Sequence, residues 1–323
     1  MLAAFAARLD PTDPVAALEV GERPDAAPPA GRGLDWSVVE VRAATLNHHD
    51  LWSLRGVGLP AERLPMILGT DAAGIGPDGA EVVVYPVVGA TGHGVGPAEQ
   101  RSILSERYPG TLAERVAVPT WNLVPKPPEL TFAEAACAGT AWLTAYRMLF
   151  TTAALRPGDR VLVQGVGGGV ASAAITLGAA AGLEVVATSR DAAKRELALA
   201  LGAVAALAPG ERPPFRVDAV IETVGAATWS PSVKALRPGG TIVVAGATSG
   251  DQPGAELTRV FFTELRVLGA TMGSRDELVA LLRFLVRSGA RPTIDSTFTL
   301  GDARSAVARL ASGAQAGKVV VTP

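Results

Sequence analysis

Along the first 125 residues, apolar positions gather in short β-rich runs separated by glycine and proline. Residues 36–41 (WSVVEV), 81–85 (EVVVY) and 112–118 (LAERVAV) are examples. Runs of this kind predict a strand-rich, barrel-like unit. From about Pro125 the pattern changes. Residues 131–150 (TFAEAACAGTAWLTAYRMLF) are helical in composition, and Thr131 with Glu134 has the spacing of an N-terminal capping box. Strand and helix patterns then alternate, with strands predicted at 160–164, 184–188, 218–222, 241–245 and 266–269 and helices at 168–181 and 192–201. Short apolar strands separated by helices predict βαβ units on a parallel sheet. Beyond Arg291 the earlier character returns, as strands at 293–299 and 318–321 around a helix at 303–312. A strand-rich unit that is interrupted by an α/β unit and then resumed predicts a first domain made from both chain ends.

Composition narrows the class. With 323 residues, 48% of them hydrophobic and 19% charged, the chain can bury two cores and is not disordered. A net charge of −2 gives no general attraction to nucleic acid or to an anionic membrane. The single cysteine, Cys137, excludes a disulfide framework and a cysteine-rich metal site, and fits a reducing compartment. Arg8 and Asp10 interrupt the apolar N-terminal stretch, which lacks the features of a secretory signal. Other apolar stretches are broken well short of the roughly 20 residues that a membrane span needs. A soluble cytoplasmic protein is the expectation.

The strongest local chemistry lies at 160–171, RVLVQGVGGGVA. An apolar strand enters a glycine cluster that opens an alanine-rich helix. Gly165, Gly168 and Ala171 keep three-residue spacing, with Gly167 and Gly169 as extra glycines beside Val170. Such a turn lets the backbone approach a pyrophosphate, which the helix N-terminus then binds. The second strand ends in Ser189, Arg190, Asp191 and, further on, Lys194. A hydroxyl, a guanidinium and an ammonium suit a ribose 2′-phosphate, whereas an acid in the place of Ser189 would repel it. Asp191 reads as the cap of the helix beginning at Ala192. The pattern favours NADPH over NADH, in a Rossmann-type domain.

Several ordered stretches together resemble the medium-chain dehydrogenase/reductase superfamily, and within it the zinc-independent quinone oxidoreductase-like branch. They are VEVRAATLNHHDLWSLRG (38–56), LPMILGTDAAGI (64–75), CAGTAWLTAYRML (137–149), the nucleotide loop at 158–171 and the closing segment 291–323. The resemblance implies an α/β fold with a GroES-like β-rich catalytic domain at 1–125 and 291–323. A doubly wound Rossmann domain at 126–290 then completes the chain. It also places Asn47, Thr70 and Thr140 where metal-dependent relatives bind catalytic zinc. An amide and two hydroxyls are not zinc ligands. An alternative site from His48, His49, His93 and Asp71 is disfavoured, because adjacent histidines point apart. No metal is expected.

Without a Lewis acid, hydrogen bonds must polarise the substrate, which suits quinones and activated enones. Asn47, Thr70 and Thr140 are placed around the nicotinamide and substrate, with Asn47 the first choice as donor and a turn or cap as its alternative role. Trp52 either stacks on a flat substrate or packs in the core. His49, and less so His48, is a candidate proton shuttle or a merely hydrogen-bonded imidazole. Asp50 is expected to hold local backbone or a cation. Cys137, read as near a helix start, is either a lowered-pKa thiol or an inert buried one. Thr144 resembles a position near the nicotinamide, and Thr223, Val224, Gly246 and Ala247 complete the cofactor set. Tyr146 is expected to pack. The loop 86–110, with its glycine-rich stretch 89–96 and His93, is where specificity is expected. Residues 266–274 resemble a strand that pairs across a two-fold axis, implying a homodimer. Two other readings stay open: an alcohol or aldehyde dehydrogenase of the same superfamily, and a nucleotide-binding relative without catalysis.

Overall fold

A computed structural model of the chain describes residues 1–29, 35–89 and 102–323. Most of the glycine-rich stretch 89–96, and His93 with it, lies outside the described residues. The chain divides into two compact units. One comprises Met1–Thr140, Ser274–Arg287 and Ile294–Pro323; the other comprises Ala141–Gly273 and Ser288–Thr293.

In the first unit, the strand Trp36–Thr45 buries alternate side chains from Ser37 to Ala43, the period that one covered face requires. It pairs antiparallel with Asp71–Ile75, with Arg115–Pro119 and with Lys318–Thr322. The closing strand Lys318–Thr322 is therefore internal to the sheet, flanked on its other side by Ile294–Thr299. That placement is the physical meaning of the returning β pattern. Gly74 is required where the first two strands meet, since a Cβ there would lie 2.1 Å from the Glu40 carbonyl oxygen. Val39, Val41, Leu68, Val84, Val116 and Val321 fill the core beneath.

The units divide at 140/141, 273/274, 287/288 and 293/294, where the sequence predicts 125/126 and 290/291. Two packing relations explain the difference. The helix Phe132–Ala136 packs on the strands Trp36–Thr45 and Asp71–Ile75. Arg275, at the start of the amphipathic helix Arg275–Ser288, donates to the carbonyls of Trp121 and Leu123 and lies 4.5 Å from the Trp121 ring centroid. The expected single helix at 131–150 is also interrupted. Its start keeps the Thr131–Glu134 capping box, but the chain winds into π turns at Ala138–Trp142 and Arg147–Thr152.

The second unit holds a six-stranded, all-parallel sheet. Its order is Ala205–Leu207, Glu184–Thr188, Arg160–Gln164, Val217–Glu222, Leu236–Val244 and Arg266–Gly269. Val161, Leu162, Val163 and Val185–Ala187 are buried without alternation, as strands covered on both faces must be. The first strand of the unit lies inside the sheet, and the chain winds to opposite sides of it. The switch in winding falls between Arg160–Gln164 and Val217–Glu222, where such sheets open a ligand crevice at their C-terminal edge.

Candidate active site and nucleotide edge

After Thr45 the chain turns into the helix His48–Leu54, with Asn47 as its extended N-cap. Asp50, fully buried in the first turn, accepts from the Asn47 N–H at 2.8 Å and the Gly69 N–H at 2.9 Å. One carboxylate thus ties the segment bearing Asn47 to the segment bearing Thr70. Burial pushes the Asp50 carboxyl above the usual carboxylate range.

Beside it lies a buried polar cluster. The Asn47 Nδ2 donates to Thr70 Oγ1 at 3.0 Å and to Asp71 Oδ2 at 2.8 Å. Its Oδ1 accepts from Lys318 Nζ at 2.6 Å. Lys318 also donates to the Leu46 carbonyl and pairs with Asp71 at 3.2 Å, with side-chain exposures of 2% and 0%. Thr45 donates to the same Asp71 oxygen, and Thr70 Oγ1 lies 2.9 Å from Thr140 Oγ1. The π turn Ala138–Trp142 brings in Thr140, which is partly exposed. Gly139 lets that turn close on Asp71, because a Cβ would sit 2.7 Å from Asp71 Oδ1. Asn47, Thr70 and Thr140, far apart in sequence, form one bonded chain. Lys318 and the structural role of Asp71 escaped the sequence reading, although a lysine heading the buried run KVVVT was a usable signal.

The neighbouring histidines differ from each other. His49 Nε2 lies 3.0 Å from Glu106 Oε1, and its Nδ1 lies 3.5 Å from Ser53 Oγ. Burial alone would lower its pKa. The Glu106 bond and the carboxylates of Asp50, Glu106 and Asp71 outweigh that and raise it above the ordinary imidazole value. For His48 burial comes first, the charges of Lys318 and Arg55 add to it, and the pKa falls. Trp52 is half-buried on the same helix. Cys137 follows the end of the helix Phe132–Ala136 rather than starting one. It is buried against the Ala133 carbonyl, and burial pushes its thiol up to about 12. The lowered-pKa reading is thereby corrected.

In the second unit, Gly165 has φ +87 and turns the chain out of its strand. Gly167 follows in the turn, and Gly168 caps the helix Gly169–Ala180, whose first turn includes Val170. A Cβ on Gly168 would meet no atom within 4 Å, so the helix N-terminus faces an open cradle. At the next strand end, Ser189 Oγ accepts from the Asp191 N–H, and Asp191 caps the helix Ala192–Ala200 as expected. Arg190 is exposed and Lys194 half-buried. Arg195, not singled out in the sequence, donates to the Ser189 carbonyl at 2.8 Å.

Across the switch point, Thr223 and Val224 follow Val217–Glu222, and Gly246 comes within close reach of the Thr223 carbonyl. Ala247 abuts Gly225. Thr144 is buried on the helix Leu143–Tyr146, which packs on Gly169–Ala180; Tyr146 stacks edge-on against Phe150, so it packs as expected. The edge is tied together by Glu222, which is fully buried and accepts from the Val224 and Gly225 N–H groups and the Thr228 and Ser232 hydroxyls. From Ser232 the bonds continue to Gln164, Thr188 and the Gly165 N–H.

Comparison with known proteins agrees with both units. The alcohol dehydrogenase GroES-like domain matches residues 33–128, and the zinc-binding dehydrogenase domain matches 169–287. A crotonyl-CoA reductase of Streptomyces collinus is 29% identical over 252 residues, which cover 69% of this chain and 56% of that protein. The chain therefore spans about half the length of that relative. The crystal structure of an NAD-dependent alcohol dehydrogenase is 32% identical, covers 100% of both chains and superposes with a TM-score of 0.89. The 2-octenoyl-CoA carboxylase reductase CinF, solved with NADP and 2-octenoyl-CoA, is 26% identical. It has a TM-score of 0.85 and covers 99% of this chain and 87% of that one. The chain belongs to the medium-chain dehydrogenase/reductase superfamily.

The family description raises the question of zinc. At Asn47, Thr70 and Thr140 the donors are an amide and two hydroxyls bonded to one another, with an ammonium behind them. These donor types do not suit zinc, which takes thiolate, imidazole or carboxylate. Among the described residues, no three His, Cys, Asp or Glu side chains gather as a metal site. Also among the described residues, no helix is long and apolar enough to cross a membrane.

Proposed function

We propose that this chain is a zinc-independent, NADPH-dependent reductase of the quinone oxidoreductase-like branch, acting on a quinone or an α,β-unsaturated carbonyl compound. The observation that carries the reading is the hydrogen-bonded set Asn47–Thr70–Thr140, an amide and two hydroxyls where the resemblance implies the zinc ligands of metal-dependent relatives. An unconjugated ketone needs strong polarisation before hydride adds at its carbonyl carbon. In a conjugated acceptor the hydride adds at the far carbon and the electron pair moves to oxygen, where a hydrogen-bond donor suffices. When bound, NADPH would supply the hydride, and a proton delivered to the resulting enolate would complete the product.

Thr140 faces the carbonyl oxygen with Thr70 and Asn47 behind it, Trp52 offers a flat face, and His49, whose pKa is raised, is the proton source. Gly165, Gly167, Gly168, Gly169 and Val170 cradle the diphosphate. Ser189, Arg190 and Lys194 take the 2′-phosphate. Thr223, Val224, Gly246 and Ala247 flank the nucleotide, with Thr144 towards the nicotinamide. The relatives named for crotonyl-CoA and 2-octenoyl-CoA make an enoyl thioester the first conjugated acceptor to try. A homodimer belongs to the same reading. The edge strand Arg266–Gly269 is exposed throughout, and Phe261 and Phe262 nearby are 65% and 80% exposed. A cytoplasmic location completes it.

The test is NADPH oxidation with a panel of quinones, enones and enoyl thioesters. Turnover that prefers NADPH to NADH is expected. Arg190→Glu should weaken NADPH by roughly 10- to 100-fold, the worth of a charge-assisted hydrogen bond, and leave NADH nearly unchanged. An inert panel, equal loss of both nucleotides, or one zinc per chain in the active protein would overturn the assignment.

A further inference from the structure

The Asn47 amide is held between opposite charges. The Lys318 ammonium faces Oδ1 at 2.6 Å, and the Asp71 carboxylate faces Nδ2 at 2.8 Å. Turning the amide over would set N–H against ammonium and carbonyl oxygen against carboxylate, two repulsions in a buried site. Its orientation is therefore fixed, and both N–H groups point inward, one to Asp71 and one to Thr70. No amide hydrogen is left for a ligand.

The consequence passes along the chain. Either hydroxyl of the Thr70–Thr140 pair can donate by geometry. Thr70 Oγ1 already accepts from Asn47, however, and its hydrogen has no acceptor among the described residues other than Thr140 Oγ1, 2.9 Å away, so Thr70 is the donor. Thr70 is fully buried and Thr140 is partly exposed. With its lone pair engaged by Thr70, the Thr140 hydroxyl directs its single hydrogen away from the cluster. Each bond polarises the next, by about 10–30% per bond, so the last hydroxyl is a better donor than an isolated one.

We infer that Lys318, Asn47 and Thr70 form a one-way hydrogen-bond chain that makes Thr140 the outward donor to the carbonyl oxygen of a conjugated substrate. This rests on the reductase reading above and deepens it. Thr140 is the catalytic residue, and the other three are positioning residues. The ligand must present an acceptor there. A carbonyl oxygen that gains negative charge during hydride addition is held more tightly than a group able only to donate.

The test pairs kinetics with a measurement that needs no turnover. Thr140→Val should lower kcat on an enone by about 100-fold, as loss of one oxyanion donor does, without changing NADPH affinity. Thr140→Ser should keep most of the activity. Thr70→Val, which breaks the chain behind the donor, should lower kcat with little change in KM, and Thr70→Ser should restore it. A Thr140→Val enzyme as active as the wild type would overturn the inference. Proton NMR of 15N-labelled wild-type protein reads the amide directly. The Asn47 side-chain N–H protons should show cross-peaks to the Thr70 methyl group, and cross-peaks to the Lys318 Cε protons instead would overturn the chain. If the wild type reduces no conjugated acceptor, the reductase reading fails, and the amide cross-peaks alone decide the chain's orientation.

Discussion

Replacing Glu222 tests whether the nucleotide edge is assembled by a buried carboxylate. Its side chain is fully buried and accepts from two backbone N–H groups and two hydroxyls. In Glu222→Ala, the Gly225 N–H and the Ser232 hydroxyl become buried donors without acceptors. At about 1–3 kcal/mol for each orphaned donor, the variant should lose roughly 2–6 kcal/mol. Glu222→Gln keeps an oxygen for the Val224 and Gly225 N–H groups and fails mainly at Ser232, so roughly 1–3 kcal/mol is expected. Ser232 is linked through Gln164 and Thr188 to the Gly165 N–H, so the nucleotide turn loosens as well. If about 1.4 kcal/mol of that pre-organisation is lost, NADPH binds about tenfold more weakly. Urea unfolding followed by circular dichroism gives the first quantity, and fluorescence titration with NADPH the second. An alanine variant within about 1 kcal/mol of the wild type, or a glutamine variant less stable than the alanine one, would refute the reasoning.

Two further outcomes follow from the same geometry. Gly168→Ala should leave stability unchanged, since φ is −76 and a Cβ meets nothing within 4 Å, yet weaken NADPH because the methyl occupies the cradle; thermal melts and titration check both. His49→Gln should reveal a pH-dependent contribution to stability. The folded pKa of His49 is raised above 6.5, so its stabilisation is complete below 6.5 and lost as pH rises through the raised value. The wild-type advantage in urea midpoint should therefore be largest in mildly acid buffer and shrink on going alkaline, and a constant advantage would contradict the Glu106 pairing.

The α/β unit was the most legible part of the chain. Its central strands are buried on both faces and read as apolar runs, so Arg160–Gln164 and Glu184–Thr188 lie at the expected bounds, as does the exposed edge strand Arg266–Gly269. The hairpin Leu2–Ala6 with Leu18–Glu22 was not legible, because an alanine-rich strand lacks the β-branched signal. The helix Arg275–Ser288 joins the first unit through Arg275 contacts more than 150 residues away in sequence, which no local pattern encodes. At the site, the family resemblance singled out Asn47, Thr70 and Thr140, which the structure brings into one bonded chain. The direction of their hydrogen bonds depends on Lys318, which is 271 residues from Asn47. Local sequence names donors, whereas tertiary charge placement decides which way each one points.

The proposed reaction is conjugate reduction at a hydroxyl-based site. It is tested most directly by incubating the wild-type protein with an enone and NADPH deuterated at C4 of the nicotinamide, then locating the label in the product. One deuterium is expected at the carbon β to an intact carbonyl for each NADPH oxidised. Deuterium on the former carbonyl carbon, giving an allylic alcohol, would contradict it and establish carbonyl reduction instead; no transfer to any acceptor would contradict it as well.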